Sequence, residues 1–272
     1  LDSGRCVEEI GLAALYNNIG LLFWELNDRK RSVNSLLAGL KHELVNKDSI
    51  HKDLLGLYYN LSTINQETGD FGTSGRYLNL AERVVNKWYL NNHEAQTRFL
   101  LNKGIYYRET GDFEKSLAAL NEAVSFIGEK NDSIRITLQI ELGTTYRHFG
   151  ELDHGEAALI SAVELAQQNH EWLYFQAIDR LSSLKIEQGD YSDSENYLLH
   201  NLERKREIYG DQPDEMLETL NELGYLYYRL NDLESAESYM DQALETGKDL
   251  RNIRPYMLNN LGAIYMKKGN LE

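Results

Sequence analysis

A two-residue phrase, Gly or Asn followed by an acidic or amide residue, recurs along the chain and constrains its fold more than any other feature. The seven copies are Asn27-Asp28, Gly69-Asp70, Gly111-Asp112, Gly150-Glu151, Gly189-Asp190, Asn231-Asp232 and Gly269-Asn270. Successive copies are 42, 42, 39, 39, 42 and 38 residues apart. Gly and Asn accept the left-handed conformation that ends a helix, and the residue after them can cap the next helix. The phrase therefore predicts a repeated unit of helix, tight turn and helix.

Small side chains occupy two fixed positions around each turn. Those seven residues before the turn are Gly20, Ser62, Gly104, Gly143, Ser182, Gly224 and Gly262. Those five residues after it are Ser32, Ser74, Ser116, Gly155, Ser194 and Ala236. Gly inside a helix costs about 1 kcal/mol relative to Ala. Because the chain accepts this cost repeatedly, we expect the two helices of each repeat to approach closely at these residues.

Larger side chains fill the neighbouring positions. Large apolar residues stand eight before the turn, at Ile19, Leu61, Leu142, Leu181, Leu223 and Leu261, and nine after it, at Leu36, Leu78, Leu120, Leu159, Leu198 and Met240. Aromatic residues stand four before it, at Phe23, Tyr107, Tyr146, Tyr227 and Tyr265. Small residues stand twelve after it, at Gly39, Ala81, Ala123, Ala162 and Ala243. Polar residues interrupt these columns in the second, third and fifth repeats, at Asn65, Lys103, Lys185 and Asn201.

This set of columns closely resembles the tetratricopeptide repeat family, most clearly at residues 220–227, 231–236 and 240–244. The family's usual repeat is about 34 residues, so the longer period here resembles the kinesin-light-chain variety, whose phrasing residues 204–213 echo. The resemblance implies an all-α fold, a right-handed superhelical solenoid of antiparallel helix pairs. A single array is predicted over residues 1–272, with six full repeats and a truncated seventh. The chain is therefore expected to be a piece of a longer protein.

Composition argues against several classes of function. The formal net charge of −15 would repel a phosphate backbone, which disfavours nucleic-acid binding and favours a protein partner. Cys6 is the only cysteine, which excludes an internal disulfide and suits a cytoplasmic protein. No apolar run approaches the roughly 20 residues that a membrane helix needs. We expect neither a metal ion nor a cofactor.

The sequence carries no catalytic motif. Its histidines lack the His-Glu-x-x-His spacing, and there is neither a Gly-rich phosphate loop nor a Gly-x-Ser-x-Gly elbow. Cys6 with His42 or His51 is a weak candidate nucleophile, because nothing places a base beside the thiol. The carboxylates of Asp48 and Asp53 are interpreted as ordinary exposed charges. We therefore predict that this chain is not an enzyme.

In the family that the sequence resembles, the first helix of each repeat lines the concave face, along which peptides or partner helices lie. The position nine residues before the turn carries four asparagines, Asn18, Asn60, Asn102 and Asn260. Asn is a poor residue for a helix interior, but its amide offers a donor and an acceptor to a partner's backbone. These amides are candidate peptide contacts. The alternative is that they bond between adjacent helices.

Aromatic and basic side chains are predicted on the same face. They are Trp24, Tyr59, Arg108, Arg147, Arg180, Tyr225 and Tyr228. The three arginines would make a basic patch suited to a carboxylate or an acidic segment. The alternative is a solvated pair, Arg108 and Arg147, balanced by Glu109 and Glu141.

The leading functional hypothesis is a protein-interaction scaffold or regulatory module, whose preorganised concave groove binds a peptide or a partner protein. An alternative is the sensor array of a larger signalling or effector protein, such as a CHAT-type protease, a histidine kinase or a transcriptional regulator. A third is a structural role, in which the array stacks on itself or on a neighbouring subunit. An uncapped C-terminal repeat would also allow self-association.

Overall fold

The structure is a computed structural model that describes residues 11–26, 28–45, 47–127, 132–210, 215–246 and 255–269. Within these ranges it contains thirteen α-helices, one 3₁₀ turn at Lys52–Leu54 and no β-strand. The predicted all-α fold class is confirmed. The chain divides into two compact units, residues 1–131 and residues 132–272.

Each unit is built from helix hairpins. The helices of the first unit are α1 (Leu12–Glu25), α2 (Arg29–Leu44), α3 (Leu55–Glu67), α4 (Phe71–Trp88), α5 (His93–Glu109) and α6 (Phe113–Phe126). Those of the second unit are α7 (Asp132–His148), α8 (Leu152–Ala166), α9 (Glu171–Gln188), α10 (Tyr191–Tyr209), α11 (Leu217–Arg229), α12 (Leu233–Thr246) and α13 (Pro255–Lys268). Each of the first six predicted turns joins two helices. Because these turns are short, the two helices that they join run antiparallel.

The turns follow the chemistry that the sequence predicts. Left-handed φ angles of 79°, 81°, 81°, 85° and 63° occur at Gly69, Gly111, Gly150, Gly189 and Asn231. The backbone N–H of Asp112 donates to the Tyr107 carbonyl oxygen at 2.8 Å, which is the bond of a Schellman motif. The Asp112 carboxylate then accepts the Lys115 N–H at 3.2 Å and caps α6. Asn27 and Asn270, from the first and last copies, lie outside the described residues.

The small residues seven before the turn lie where the two helices of a hairpin touch. A Cβ added at Gly143 would lie 2.5 Å from Leu159 Cγ and 3.0 Å from the Gly155 carbonyl oxygen, so no larger residue fits. The equivalent glycines Gly20, Gly104 and Gly224 would meet Leu36, Leu120 and Met240 at 2.6, 2.6 and 2.8 Å. The predicted close approach is therefore confirmed, and the large residue nine after the turn is what occupies the space above each glycine.

Serines at the small positions also join the paired helices. Ser116 Oγ donates to the carbonyl oxygen of Gly104 at 2.8 Å, and Ser194 Oγ donates to that of Ser182 at 3.1 Å. Both hydroxyls are buried, so these bonds satisfy groups that would otherwise lose their water. Serine therefore suits these positions because it is small and can bond the facing backbone.

The irregular fifth repeat holds a buried polar network around Asp179. Lys205 Nζ lies 2.9 Å from Asp179 Oδ2, and Asn201 Nδ2 and Thr219 Oγ1 donate to Asp179 Oδ1 at 2.7 and 2.9 Å. Lys205 Nζ also donates to Thr219 Oγ1 at 2.7 Å. All four side chains are buried, and they join α9, α10 and α11. Asn201 replaces the small residue of its column because its amide is a donor to the buried carboxylate.

The other interruptions of the repeat columns also have polar partners. Lys103 Nζ lies 2.7 Å from a Glu82 carboxylate oxygen, and Lys185 Nζ lies 2.7 Å from Glu156. Asn65 Nδ2 donates to a carbonyl oxygen one turn earlier in α3, at 2.6 Å. Each departure from the repeat therefore marks a polar interaction within its unit.

Candidate functional site

The candidate site residues lie on the first helix of each hairpin, and within each unit we call the surface that they form the first-helix face. In the first unit they are Asn18, Trp24, Tyr59, Asn60, Asn102 and Arg108, on α1, α3 and α5. In the second unit they are Arg147, Arg180, Tyr225, Tyr228 and Asn260, on α7, α9, α11 and α13. Asn18 is exposed and the other ten are partly buried. The side chains of this face are thus accessible to a partner, although most of them already pack against neighbouring residues.

The asparagines of this face differ in what they bond. Asn60 Nδ2 donates to Asn17 Oδ1 at 2.7 Å, which joins α3 to α1. Asn260 Nδ2 donates in the same way to Asn221 Oδ1 at 3.0 Å, joining α13 to α11. Asn102 Nδ2 donates within α5, to the Arg98 carbonyl oxygen at 2.8 Å. Two of the four amides therefore bond between adjacent first helices, as the alternative predicts, while Asn18 is the amide most open to a partner.

Each arginine of the predicted basic patch has a carboxylate neighbour in its own unit. In the first unit, Arg108 lies 3.1 Å from Glu109. In the second unit, Arg147 Nη1 lies 2.6 Å from Glu187 on α9. In the same unit, Arg180 Nη1 lies 3.4 Å from Glu218. Neighbouring carboxylates therefore partly neutralise all three guanidiniums. A partner carboxylate would have to share them.

Acidic groups outnumber cations around the middle of the second unit's face. The negative charges of Glu218, Glu222, Glu141 and Asp179 all act on the Arg180 guanidinium. The Glu222 carboxylate accepts a hydrogen bond from Ser183 Oγ at 2.7 Å, which joins α11 to α9. This part of the face is suited to a cationic group of a partner.

Tyrosines and cations lie together at the turn end of α11. The rings of Tyr225 and Tyr228 stack with centroids 6.4 Å apart. Arg229 lies over the Tyr225 ring and donates to its hydroxyl at 3.1 Å. Lys267 Nζ from α13 lies 4.6 Å from the Tyr228 ring centroid. These contacts orient both rings, so the aromatic surface is preorganised.

Glu222 is the strongly perturbed carboxyl of the face. Burial raises its pKa to about 7, and the nearby negative charges of Glu218 and Asp179 act in the same direction. The hydrogen bond from Ser183 and the charge of Arg180 oppose that shift. The folded chain therefore keeps Glu222 protonated at pH values above 4.5, its ordinary pKa. Ionisation of Glu222 at higher pH disfavours the folded state.

We expect the folded chain to lose about 2 kcal/mol of stability through Glu222 between pH 5 and pH 7, because the unfolded state has already released that proton. Glu222→Gln should remove this part of the pH dependence. The measurement is urea unfolding of both proteins at several pH values. Glu164→Gln, an exposed position on α8, is the matched control. The same slope in the wild type and in Glu222→Gln would contradict the prediction.

The sequence columns missed the residues that connect one first helix to the next. These are Asn17, Ser183, Glu187, Glu218 and Asn221. Asn17 and Asn221 stand one residue before the asparagine column, so a search for pairs offset by one position would have found them. No sequence signal marks Ser183, Glu187 or Glu218, because each of these residues and its partner stand at different positions relative to their turns.

Among the described residues there is no group of three or more His, Cys, Asp or Glu that could hold a metal ion. No helix within the described ranges is long and apolar enough to cross a membrane. Asp48 and Asp53 each pair with a lysine, at 3.2 Å from Lys87 and 2.6 Å from Lys47. Cys6 lies outside the described residues.

The hairpins, their left-handed turns and their small-residue contacts define an all-α helical-repeat protein. Tetratricopeptide repeat family models match residues 97–128 and residues 174–249. These two segments are therefore tetratricopeptide repeats. A comparison with curated proteins found no match.

Solved structures share this fold at low sequence identity. NprR in complex with its cognate peptide NprX has a TM-score of 0.68 and 16% identity, over 96% of this chain and 74% of that chain. A signal-transduction ATPase with a tetratricopeptide repeat sensor from Pyrococcus horikoshii has a TM-score of 0.65 and 15% identity, over 95% of this chain and 39% of that one. Kinesin light chain repeats from Podosopora anserina have a TM-score of 0.57 and 15% identity, over 73% and 97%.

Proposed function

We propose that this chain is a protein-interaction scaffold that binds an extended peptide, or a segment of a partner protein, along its first-helix face. The observation that carries the proposal is the surface at Tyr225 and Tyr228, where two partly exposed rings are held by neighbouring cations. Aromatic side chains with few rotatable bonds supply contact area at low entropic cost. NprR, which shares the fold, was solved with a bound peptide.

Tyr59 supports the same proposal in the first unit. Its hydroxyl is buried and has no hydrogen-bond partner among the described residues, which leaves a polar group unsatisfied next to the predicted contacts. The rest of the Tyr59 side chain is partly exposed and is the part that a peptide could contact. Asn18, exposed on the neighbouring α1, is a second amide available to such a backbone.

The remaining predicted contacts also belong to the proposal. Asn60, Asn102, Asn260, Arg108, Arg147 and Arg180 would position the peptide. The proposal also includes a continuous array over residues 1–272, a cytoplasmic location and self-association at the C-terminal repeat. The net charge of −15 favours a partner with basic or mixed charge over a nucleic acid. We propose no catalytic step for this chain.

A second candidate function is a sensor array within a larger signalling protein. The observation that favours it is the fold shared with the repeat sensor of the Pyrococcus horikoshii ATPase, of which this chain covers 39%. In that case the bound peptide or protein would change the state of an output domain. The site would be the same first-helix face.

Site-specific photo-crosslinking tests the proposed face. A photoreactive phenylalanine analogue at Tyr225 should capture a partner from cell extract, and the same analogue at Leu199, exposed on the second helix α10, should not. Binding of the captured partner, once purified, should weaken at least tenfold in Tyr225→Ala/Tyr228→Ala, since each lost aromatic anchor is worth about 1 kcal/mol or more. Leu199→Ala is the matched affinity control. Equal capture at both positions, or equal affinity of both variants, would refute the proposal.

A further inference from the structure

The position two residues before each turn changes its charge along the chain. A glutamate occupies it in four of the seven repeats, at Glu25, Glu67, Glu109 and Glu187. A cation occupies it in the last two repeats, at Arg229 and Lys267. A position that accepts either charge is not fixed by the packing of the hairpin. The two cations therefore need an explanation other than the repeat itself.

Arg229 is held by two tyrosines at the turn end of α11. Its Nη1 donates to Tyr225 Oη at 3.1 Å, and its Nη2 donates to Tyr191 Oη at 3.3 Å. The guanidinium carbon also lies 5.8 and 5.9 Å from the centroids of these two rings. Tyr191 is the first residue of α10, in the preceding hairpin. Arg229 is thus exposed to a partner but has a defined orientation.

Lys267 on α13 extends this surface into the following repeat. Its Nζ lies 4.6 Å from the centroid of the Tyr228 ring and donates to the Tyr228 carbonyl oxygen at 3.3 Å. Tyr228 in turn stacks with Tyr225. We call Tyr191, Tyr225, Tyr228, Arg229 and Lys267 the tyrosine–cation cluster. Described helices flank Arg229 on both sides, α10 before it and α13 after it, and still leave it exposed.

The open polar groups of the tyrosine–cation cluster are donors. The hydroxyls of Tyr191 and Tyr225 accept from Arg229, so their own hydrogens have no acceptor among the described residues. The Tyr228 hydroxyl has no hydrogen-bond partner there. Among the same residues neither Arg229 nor Lys267 has a salt bridge, unlike the three arginines of the predicted basic patch. In the part of the chain that the structure describes, donors and positive charge therefore lie together without a negative group beside them.

We propose that the tyrosine–cation cluster binds the carboxylate of an Asp or Glu side chain in the partner segment. A carboxylate has two oxygens that accept from a guanidinium, an ammonium and hydroxyls, and such charge-assisted bonds are among the stronger hydrogen bonds. The tyrosines hold Arg229 in place, which lowers the entropic cost of binding. The inference rests on the proposed function and adds the chemistry of one contact.

The charge of the whole chain limits the kind of segment that carries this carboxylate. A net charge of −15 repels a run of acidic residues, or a doubly charged phosphate, more than it repels a single carboxylate. The same helix α11 also carries Glu218 and Glu222, which suit a cationic group. We therefore expect a segment of mixed charge, whose acidic residue lies against Tyr225 and Tyr228.

A phage-displayed library of random peptides tests the inference on the full chain. Peptides selected on the wild type should share an Asp or Glu at one position. Peptides selected on Arg229→Glu/Lys267→Glu should carry Lys or Arg there instead, because the cluster is then negatively charged. Arg206→Glu/Lys52→Glu is the matched control, since it makes the same change at two exposed cations outside the cluster, and it should select the same peptides as the wild type.

Fluorescence anisotropy with the tightest wild-type peptide, amidated at its C-terminus, measures the contact directly. Its affinity should fall at least tenfold for Arg229→Glu/Lys267→Glu, and changing its acidic residue to Lys should restore binding to that variant. Tyr225→Phe/Tyr228→Phe keeps both rings but removes two donors, and should weaken binding about threefold. This loss should vanish for a peptide with Ala in place of its acidic residue.

Thermal unfolding should show that each variant is folded, as expected for changes at exposed or partly exposed positions. Wild-type peptides without a shared acidic residue, or an acidic peptide that binds the wild type and Arg229→Glu/Lys267→Glu equally, would overturn the inference. The proposed function would stand in that case if Tyr225→Ala/Tyr228→Ala still weakened binding. Tighter binding with phosphoserine in place of the acidic residue would assign the cluster to phosphate and also overturn the inference. A library from which no peptide binds would overturn both.

Discussion

Replacing Asp179 with Ala should lower the free energy of unfolding of the second unit by about 3–5 kcal/mol, because it leaves the buried ammonium of Lys205 without a counter-charge. Lys205 and Asp179 have side chains that are 6% and 5% exposed and lie 2.9 Å apart. Thr219 and Asn201 also lose the oxygen to which they donate. Urea unfolding followed by circular dichroism measures the loss.

An exposed ion pair provides the control for this effect. Arg98→Ala removes the contact of Arg98 with Glu94 on the surface of α5, where both side chains are more than half exposed, and should cost less than about 1 kcal/mol. Asp179→Leu/Lys205→Met removes both buried charges and should recover a large part of the lost stability. Equal losses in Asp179→Ala and Arg98→Ala would show that the buried network contributes no more than a surface pair.

Gly143→Ala should destabilise the chain by about 2–3 kcal/mol although Ala is the better helix former, because the new methyl would overlap Leu159 and the backbone of Gly155. The large partner cannot withdraw easily, since Leu159 is fully buried. Combining Gly143→Ala with Leu159→Ala should cost less than the sum of the single changes, because the second change removes the overlap.

Gly262→Ala is a control for which we expect the opposite change in stability. Gly262 stands in the same column, on α13, but nothing lies within 4 Å of a Cβ added there. Gly262→Ala should therefore stabilise its helix by up to about 1 kcal/mol. Thermal and urea unfolding of the two variants should thus move in opposite directions. A stabilising Gly143→Ala would contradict the close approach of α7 and α8.

Features fixed by local chemistry were predictable from the sequence. The left-handed turn at Gly111, the cap at Asp112 and the close approach at Gly143 each depend on residues a short distance apart, so the type and position of the residue predict the geometry. Repetition strengthened the prediction, since the same residues recur in six or seven hairpins. The helix pairs and the all-α fold followed from these columns.

The polar contacts between residues of different repeat columns could not be predicted in the same way. Asp179 bonds Lys205 and Thr219, which lie 26 and 40 residues away and belong to different columns. Which carboxylate lies beside Arg147 depends on side-chain reach across two helices, and the repeat columns did not mark Glu187 for this contact. Repeat columns place residues on a face but do not specify their partners.

The small-residue contacts also determine where the chain can change in length. The distance between successive turns varies from 38 to 42 residues, yet the small residues stay seven before and five after each turn. Differences in length therefore fall away from the turns, partly in the ends of the helices and partly in the connections between hairpins. The turn and the helix segments packed beside it behave as a module of fixed geometry, and insertions and deletions can accumulate outside this module without disturbing its packing.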